Sequence, residues 1–262
     1  MTMETPLSGP PVAVGAPVLR ATGIRKSFGG VVAVEHADLI LHAGEIVALV
    51  GGNGAGKSTL ISLLSGVAQP DAGTFEVRGQ HHALRSPGEA RELGIETVYQ
   101  TLALIDTLDI AQNIFLGREQ VRGPRVAGWL AERRMRARAE ELIRGLGLRR
   151  DMRTLVSALS GGQRQAVALA RAIEFETKIV ILDEPTAALG VQETKATLEV
   201  IDRFRSEGLA ILLVSHNMDD VFALADRIVV MRQGRTIVDT PTAQTTQREV
   251  VGWITGGLDA HE

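Results

Sequence analysis

The chain of 262 residues is 45% hydrophobic and 23% charged, the balance of a soluble globular protein large enough to bury a sizeable core. A net charge of −3 argues against a general nucleic-acid binder. The absence of cysteine excludes disulfides and thiolate metal sites and suits a reducing compartment, and no apolar run of about 18 residues is present to span a membrane.

Residues 1–17 have neither a basic start nor a continuous apolar stretch and read as a flexible tail rather than a signal peptide. Strand-like runs at 17–21 and 31–41 precede the apolar strand 45–50. That strand feeds Gly51-Gly52-Asn53-Gly54-Ala55-Gly56-Lys57-Ser58-Thr59, a complete G-x-x-x-x-G-K-[ST] string, and a helix from Leu60 follows. Strand, loop and helix in that order are the setting in which this string binds a nucleoside triphosphate. Glycines let backbone N–H groups turn inward around the phosphates, with a helix N-terminus behind them. Lys57 is expected on the β- and γ-phosphates, and the Ser58 hydroxyl on Mg²⁺.

Further on, 73–79 has the look of a short antiparallel strand and 95–100 that of a buried strand ending at Gln100. Between 101 and 159 helical patterns dominate, with breaks at Gly117, Gly123-Pro124, Gly128, Gly145 and Gly147. The α/β alternation then returns: a helix near 162–175, a strand at 178–182, a helix near 191–207 and a strand at 210–215. A hairpin is expected over 228–239, turning at Gln233-Gly234. The run 247–254 has helical apolar spacing at Val250, Val251 and Ile254. Continuous apolar strands alternating with helices predict an α/β fold whose sheet is mostly parallel and covered on both faces. One domain is expected over 18–262, its core formed by 18–100 and 160–262 around a helical insertion at 101–159. No internal repeat is seen, so the motifs suffice for one nucleotide site.

Two constellations join the phosphate loop. The apolar strand before Asp183-Glu184 ends in adjacent carboxylates, placed where parallel strands present residues to a ligand. Asp183 there can hold Mg²⁺ through water, and Glu184 can orient or deprotonate an attacking water. Leu159-Ser160-Gly161-Gly162-Gln163 opens a helix. Ser160 is expected to cap it, and the small residues equally make an anion site at its N-terminus. Ser215 and His216 are neighbours on one strand, pointing to opposite faces, so they form no hydrolytic triad.

The order phosphate loop, Gln100, Leu159-Ser160-Gly161-Gly162-Gln163, Asp183-Glu184, His216 resembles the nucleotide-binding subunit of an ABC (ATP-binding cassette) transporter, over nearly all of the chain from Val18 to Gly256. The resemblance implies a P-loop, RecA-like ATPase core with an N-terminal antiparallel β part, in which 101–159 is the helical signature subdomain. It also implies a head-to-tail homodimer with two sandwiched ATP molecules. Each ATP lies between the phosphate loop of one copy and the family's signature segment, here Ser160, Gly161, Gly162 and Gln163 at the start of a helix, of the other. It places Phe28 on the adenine, Gln100 on Mg²⁺ and water, and His216 on the γ-phosphate. Where relatives close a Ser-Ala-Leu-Asp string, this chain has Gly190, which puts close communication between the two ATP sites in question.

Ser86-Pro87-Gly88-Glu89-Ala90, Gly94-Ile95-Glu96-Thr97-Val98-Tyr99-Gln100, Asn113-Ile114-Phe115-Leu116-Gly117-Arg118-Glu119, the run 185–191 and Ser215-His216-Asn217-Met218 are similar to strings of monosaccharide importer ATPases. The expected protein is a cytoplasmic ATPase, peripheral on the inner face of the cell membrane. It powers import of a sugar through integral-membrane permease subunits, contacted near 100–116, and serves a periplasmic or surface sugar-binding protein indirectly. An ATPase subunit for a non-sugar substrate or an exporter is the alternative, since its core looks the same. A cassette protein of DNA repair or translation is disfavoured by the single cassette, and a GTPase by the missing Asn-Lys-x-Asp string. Eight Arg against four acids over 132–153 are read as a solvated helix face before a membrane-attracted patch.

Overall fold

The computed structural model describes residues 16–122 and 129–258. The expected tail up to residue 15 and the breaks at Gly123-Pro124 and Gly128 lie outside the described residues. In chain order the elements are β1 (Pro17–Phe28), β2 (Val31–His42), β3 (Ile46–Gly51), α1 (Lys57–Leu64), β4 (Ala72–Val77), β5 (Gln80–His82), α2 (Pro87–Glu92) and β6 (Ile95–Val98). There follow α3 (Ile110–Phe115), β7 (Val121–Arg122), β8 (Trp129–Leu130), α4 (Glu132–Gly145) and α5 (Gly161–Ile173). The chain continues through β9 (Ile179–Asp183), α6 (Val191–Ser206), β10 (Ala210–Val214), α7 (Met218–Leu224), β11 (Arg227–Arg232), β12 (Arg235–Pro241) and α8 (Gln247–Thr255).

Packing divides the chain into two units. The first holds the described residues up to Thr97, Lys178–Glu184, and those from Ile201 onward; the second holds Val98–Thr177 and Pro185–Val200. The sheet has the order β5-β4-β1-β2-β12-β11-β3-β10-β9-β6. Its centre is parallel, with β3 between β11 and β10, and β10 beside β9. β1, β2 and β4 form the antiparallel arm. From Ile46 to Val50 every residue of β3 is shut off from solvent, as a central parallel strand covered on both faces must be. β11 and β12 are the expected hairpin, and both turn residues, Gln233 and Gly234, have positive φ (50° and 78°), the geometry that matches strand twist.

In the second unit Ile110, Phe115, Ala139, Ile143, Val167 and Ala170 share one buried cluster. Phe115 meets Phe175 edge to face, with centroids 5.9 Å apart. Because Val167 and Ala170 of α5 are buried there, α5 packs with α3 and α4. The division by packing thus runs past the residue 159 at which the helical insertion was expected to stop.

Two sequence expectations shift. The strand expected at 95–100 ends at Val98, leaving Gln100 exposed beyond it. In α8 the buried pair is Val250 and Trp253, and Val251 is 45% exposed, because 250 and 253 are one turn apart on the same face. The basic stretch is a helix surface laced with ion pairs, among them Arg136 to Glu132 (3.2 Å) and Arg138 to Glu141 (2.8 Å) and Glu174 (2.7 Å).

Candidate functional site

The phosphate loop leaves β3 and enters α1, and its two most constrained glycines are set by backbone crowding. A Cβ at Gly51 would lie 2.3 Å from the Met231 carbonyl oxygen. One at Gly56, at φ 104°, would lie 2.7 Å from that of Ala33. Gly52, Asn53, Gly54 and Ala55 complete the turn, closed by the Ala55 N–H to the Gly52 carbonyl (3.2 Å). Gly56 is the N-cap of α1, so no side chain caps the helix, and no acidic residue sits in its first turn. Its leading N–H groups, including those of Ser58 and Thr59, are left to an anion. Lys57 folds back over the loop and donates through Nζ to the carbonyls of Gly51 (2.6 Å) and Gly52 (3.1 Å). Burial lowers its pKa from the usual lysine range, against the opposing pull of Glu184 and Asp183.

Those carboxylates end β9. Asp183 is half-buried, and burial, then the neighbouring Glu184 charge, raise its pKa, while Lys57 lowers it. Glu184 stands in the left-handed region at φ 51°, a strained conformation for a residue with a side chain, and its N–H donates to the Val214 carbonyl at 2.8 Å. This twist carries its carboxylate to His216 just beyond β10, with Nδ1 and Oε2 2.8 Å apart. The carboxylate is largely shielded and the imidazole largely exposed (15% and 74%), so the His is the member that faces an incoming ligand. Ser215 is buried and its hydroxyl accepts from the Asn217 N–H, which leaves it no part in this pair.

Phe28 closes β1 and is 53% exposed, so it is not a core residue; Lys26 Nζ lies 5.4 Å from its ring centroid. An exposed ring at a strand end offers a stacking face. Phe28→Ala is expected to leave the fold intact and weaken nucleotide binding by about 1–2 kcal/mol, roughly five- to thirtyfold in Kd, while Phe28→Tyr retains it. Titration with a fluorescent nucleotide analogue measures this, and an unchanged Kd for the Ala variant refutes the stacking role.

In the second unit Gln100 opens an irregular segment in which Leu102 and Ala103 both have positive φ (55° and 46°). The residue that holds them carries no signal in the sequence. Arg171 of α5 donates to the carbonyls of Leu102 (2.7 Å) and Ala103 (2.8 Å), a fork that ties the signature helix to the segment after Gln100. Arg171→Lys is expected to speed amide exchange at 101–104 by about tenfold through loss of one of two charge-assisted bonds, with α5 otherwise protected as before.

Ser160 caps α5 as expected: its hydroxyl accepts from the Gln163 N–H (3.4 Å) and the Gln163 side chain accepts from the Ser160 N–H (3.2 Å). Gly161 and Gly162 form the first turn. A second residue absent from the sequence reading stands over them: Glu193 accepts from the Ser160 hydroxyl at 2.9 Å. Only the Glu three positions after Gly190, a capping distance, hinted at it.

The fold and the loop together define a P-loop nucleotide-binding protein. The sequence profile of the ABC transporter family matches residues 34–187. The chain is 47% identical over 251 residues to the fructose import ATP-binding protein FrcA of Rhizobium meliloti, spanning 93% of this chain and 95% of that protein. It is 42% identical to the xylose/arabinose import ATP-binding protein XylG of Sulfolobus acidocaldarius (89% and 92% covered). It is 41% identical to the ribose import ATP-binding protein RbsA 3 of Rubrobacter xylanophilus, of which it spans about half (92% and 48% covered). In fold it is similar to a nucleotide-free ATP-binding cassette from an ABC transporter (TM-score 0.78, 23% identity, 91% and 95% covered). It is also similar to a dimeric post-hydrolysis state of the cassette MJ0796 bound to ADP and Pi (TM-score 0.72, 23% identity, 86% and 98% covered). The chain belongs to the ABC transporter family and is one of its ATPases. Among the described residues no helix is long and apolar enough to cross a membrane.

Proposed function

We propose that this ATPase powers import of a monosaccharide through a membrane permease, working as a head-to-tail homodimer peripheral to the inner membrane face. The observation that carries the sugar assignment is the 47% identity, over nearly the full length of both chains, to an ATP-binding protein of fructose import. ATP is held on the bare N-terminus of α1 by the loop of Gly51, Gly52, Asn53, Gly54, Ala55, Gly56, Lys57, Ser58 and Thr59, with its adenine on Phe28. Ser160, Gly161, Gly162 and Gln163 of a second copy close over the γ-phosphate. Asp183, Ser58 and Gln100 are hard-oxygen donors, the type Mg²⁺ prefers when phosphates fill its other positions. The half-buried Asp183 carboxylate, its pKa raised by burial and by Glu184, gains from a nearby cation. Mg²⁺ bound there supplies charge neutralisation to the phosphates. Glu184 accepts a proton from the attacking water, and His216 orients Glu184 and faces the γ-phosphate. Dimer closure on ATP and reopening after hydrolysis are the two states that drive the permease.

Capture of tagged Glu184→Gln protein from its native membranes, with and without ATP, tests this reading. Recovery of a multi-span permease together with a sugar-binding protein is the expected result. Recovery of a permease with a partner of another substrate class, or of soluble partners only, refutes sugar import.

A further inference from the structure

Two helix N-termini meet on one carboxylate. Glu193, in the first turn of α6, reaches back so that Oε2 accepts from the Gly190 N–H at 3.3 Å, while Oε1 accepts from the Ser160 hydroxyl at 2.9 Å. The Gly162 N–H also donates to it. These donors, Ser160 first and Gly190 next, hold the Glu193 carboxyl below the ordinary range. Glycine at 162 is what allows the approach, because a Cβ there would stand 2.9 Å from Glu193 Cγ. Gly190, immediately before α6, has no side chain with which to cap it, so the cap comes from Glu193, whose other oxygen is drawn onto α5. Both positive helix ends favour the charge. The contrast with α1 is plain: its N-terminus has neither a capping side chain nor an acid, whereas that of α5 already carries a negative group.

We propose that Glu193 is a latch on the signature segment: its carboxylate occupies the donors of Ser160 and Gly162 in the free subunit and must swing away before a second copy's ATP is gripped there. This regulation rests on the reading of 160–163 as the contact for a partner's nucleotide. A γ-phosphate and a carboxylate are both anions seeking the same N–H and O–H groups, so they exclude each other. Room for the displaced side chain is present, in a cavity of about 250 Å³ lined by Glu193, Gln163, Ala166 and Thr197 among others. ATP-driven closure is therefore opposed by the subunit itself. Gly190 is part of the device, because an acid at that position would cap α6 and repel Glu193.

The test is ATP-dependent dimerisation measured by sedimentation, with Glu184→Gln in every protein to stop turnover. Glu193→Gln keeps one of the two acceptor oxygens that serve Ser160 and Gly190, replaces the other with an NH2 donor and removes the charge. Gly190→Asp places a like charge beside Glu193 in open space, the nearest atom to its Cβ being Glu193 Oε2 at 4.0 Å. Each change is expected to lower the dimer dissociation constant about tenfold, one latch being released at each of two sites. An unchanged or raised constant for Glu193→Gln overturns the latch. Ser160→Arg tests the reading beneath it and is expected to abolish the ATP-dependent dimer. A dimer that survives that change, or no dimer in the parent, overturns the sandwich reading itself, and the latch with it.

Discussion

Glu184→Gln is expected to bind ATP as the parent does and to turn it over at least about a hundredfold more slowly. The side chains are nearly isosteric, and the amide oxygen of Gln still accepts from His216 Nδ1 across the 2.8 Å contact. The strained backbone at φ 51°, with its N–H bonded to Val214, does not depend on the charge either. What the variant loses is a base for the water proton, an interaction that belongs to the transition state and therefore appears in kcat and not in KM. Steady-state kinetics with a parallel nucleotide titration read the two separately. Turnover within about threefold of the parent removes Glu184 from the chemistry.

Lys57→Ala is the second large effect, and it falls on binding. The Lys57 ammonium now rests on the carbonyls of Gly51 and Gly52 inside the loop, where burial lowers its pKa. Phosphate oxygens replace those carbonyls with charge-assisted bonds, so truncation costs about 2–3 kcal/mol, roughly 30- to 160-fold in Kd. The pH dependence has a definite sign. Phosphate favours the protonated amine, so the bound lysine has a higher pKa than the free one. Affinity is complete below the free pKa and is lost as pH rises through it toward the bound value. Because burial has lowered the free value, the loss begins at a lower pH than an ordinary lysine gives. In Lys57→Ala that alkaline loss disappears. A titration of Kd against pH on both proteins measures it, and an identical alkaline limb in the two excludes Lys57 as its source.

Much of the site was legible in the sequence because its parts are local. The phosphate loop is one contiguous string after an apolar strand, and Asp183 and Glu184 follow another. The strand periodicity that located β9 and β10 also put Glu184 and His216 at strand ends, which the sheet pairing makes neighbours. Their hydrogen bond was not legible, since it depends on the left-handed turn at Glu184 that redirects the carboxylate. Arg171 and Glu193 were missed for a related reason. Their partners lie 68 and 33 positions away, and only the folded second unit brings them together. Helix limits followed periodicity well, yet Val251 took the place of Trp253 in the expected buried stripe because a mere run of apolar residues does not say which neighbour the core meets. The Gly190 departure was visible at once, whereas its consequence needed the contact from Gly190 to Glu193.

The measurement that most directly tests the sandwiched site is subunit complementation. Lys57→Ala protein and Ser160→Arg protein are each expected to be inactive alone. Mixed, half of the random encounters pair one of each, and every such pair holds one intact site made from the phosphate loop of one copy and the signature segment of the other. With Gly190 in place of the acid that couples the two sites, that single site is expected to turn over on its own, restoring ATPase activity to about a quarter of the parent value. A mixture that stays at the sum of its two inactive components contradicts the shared site.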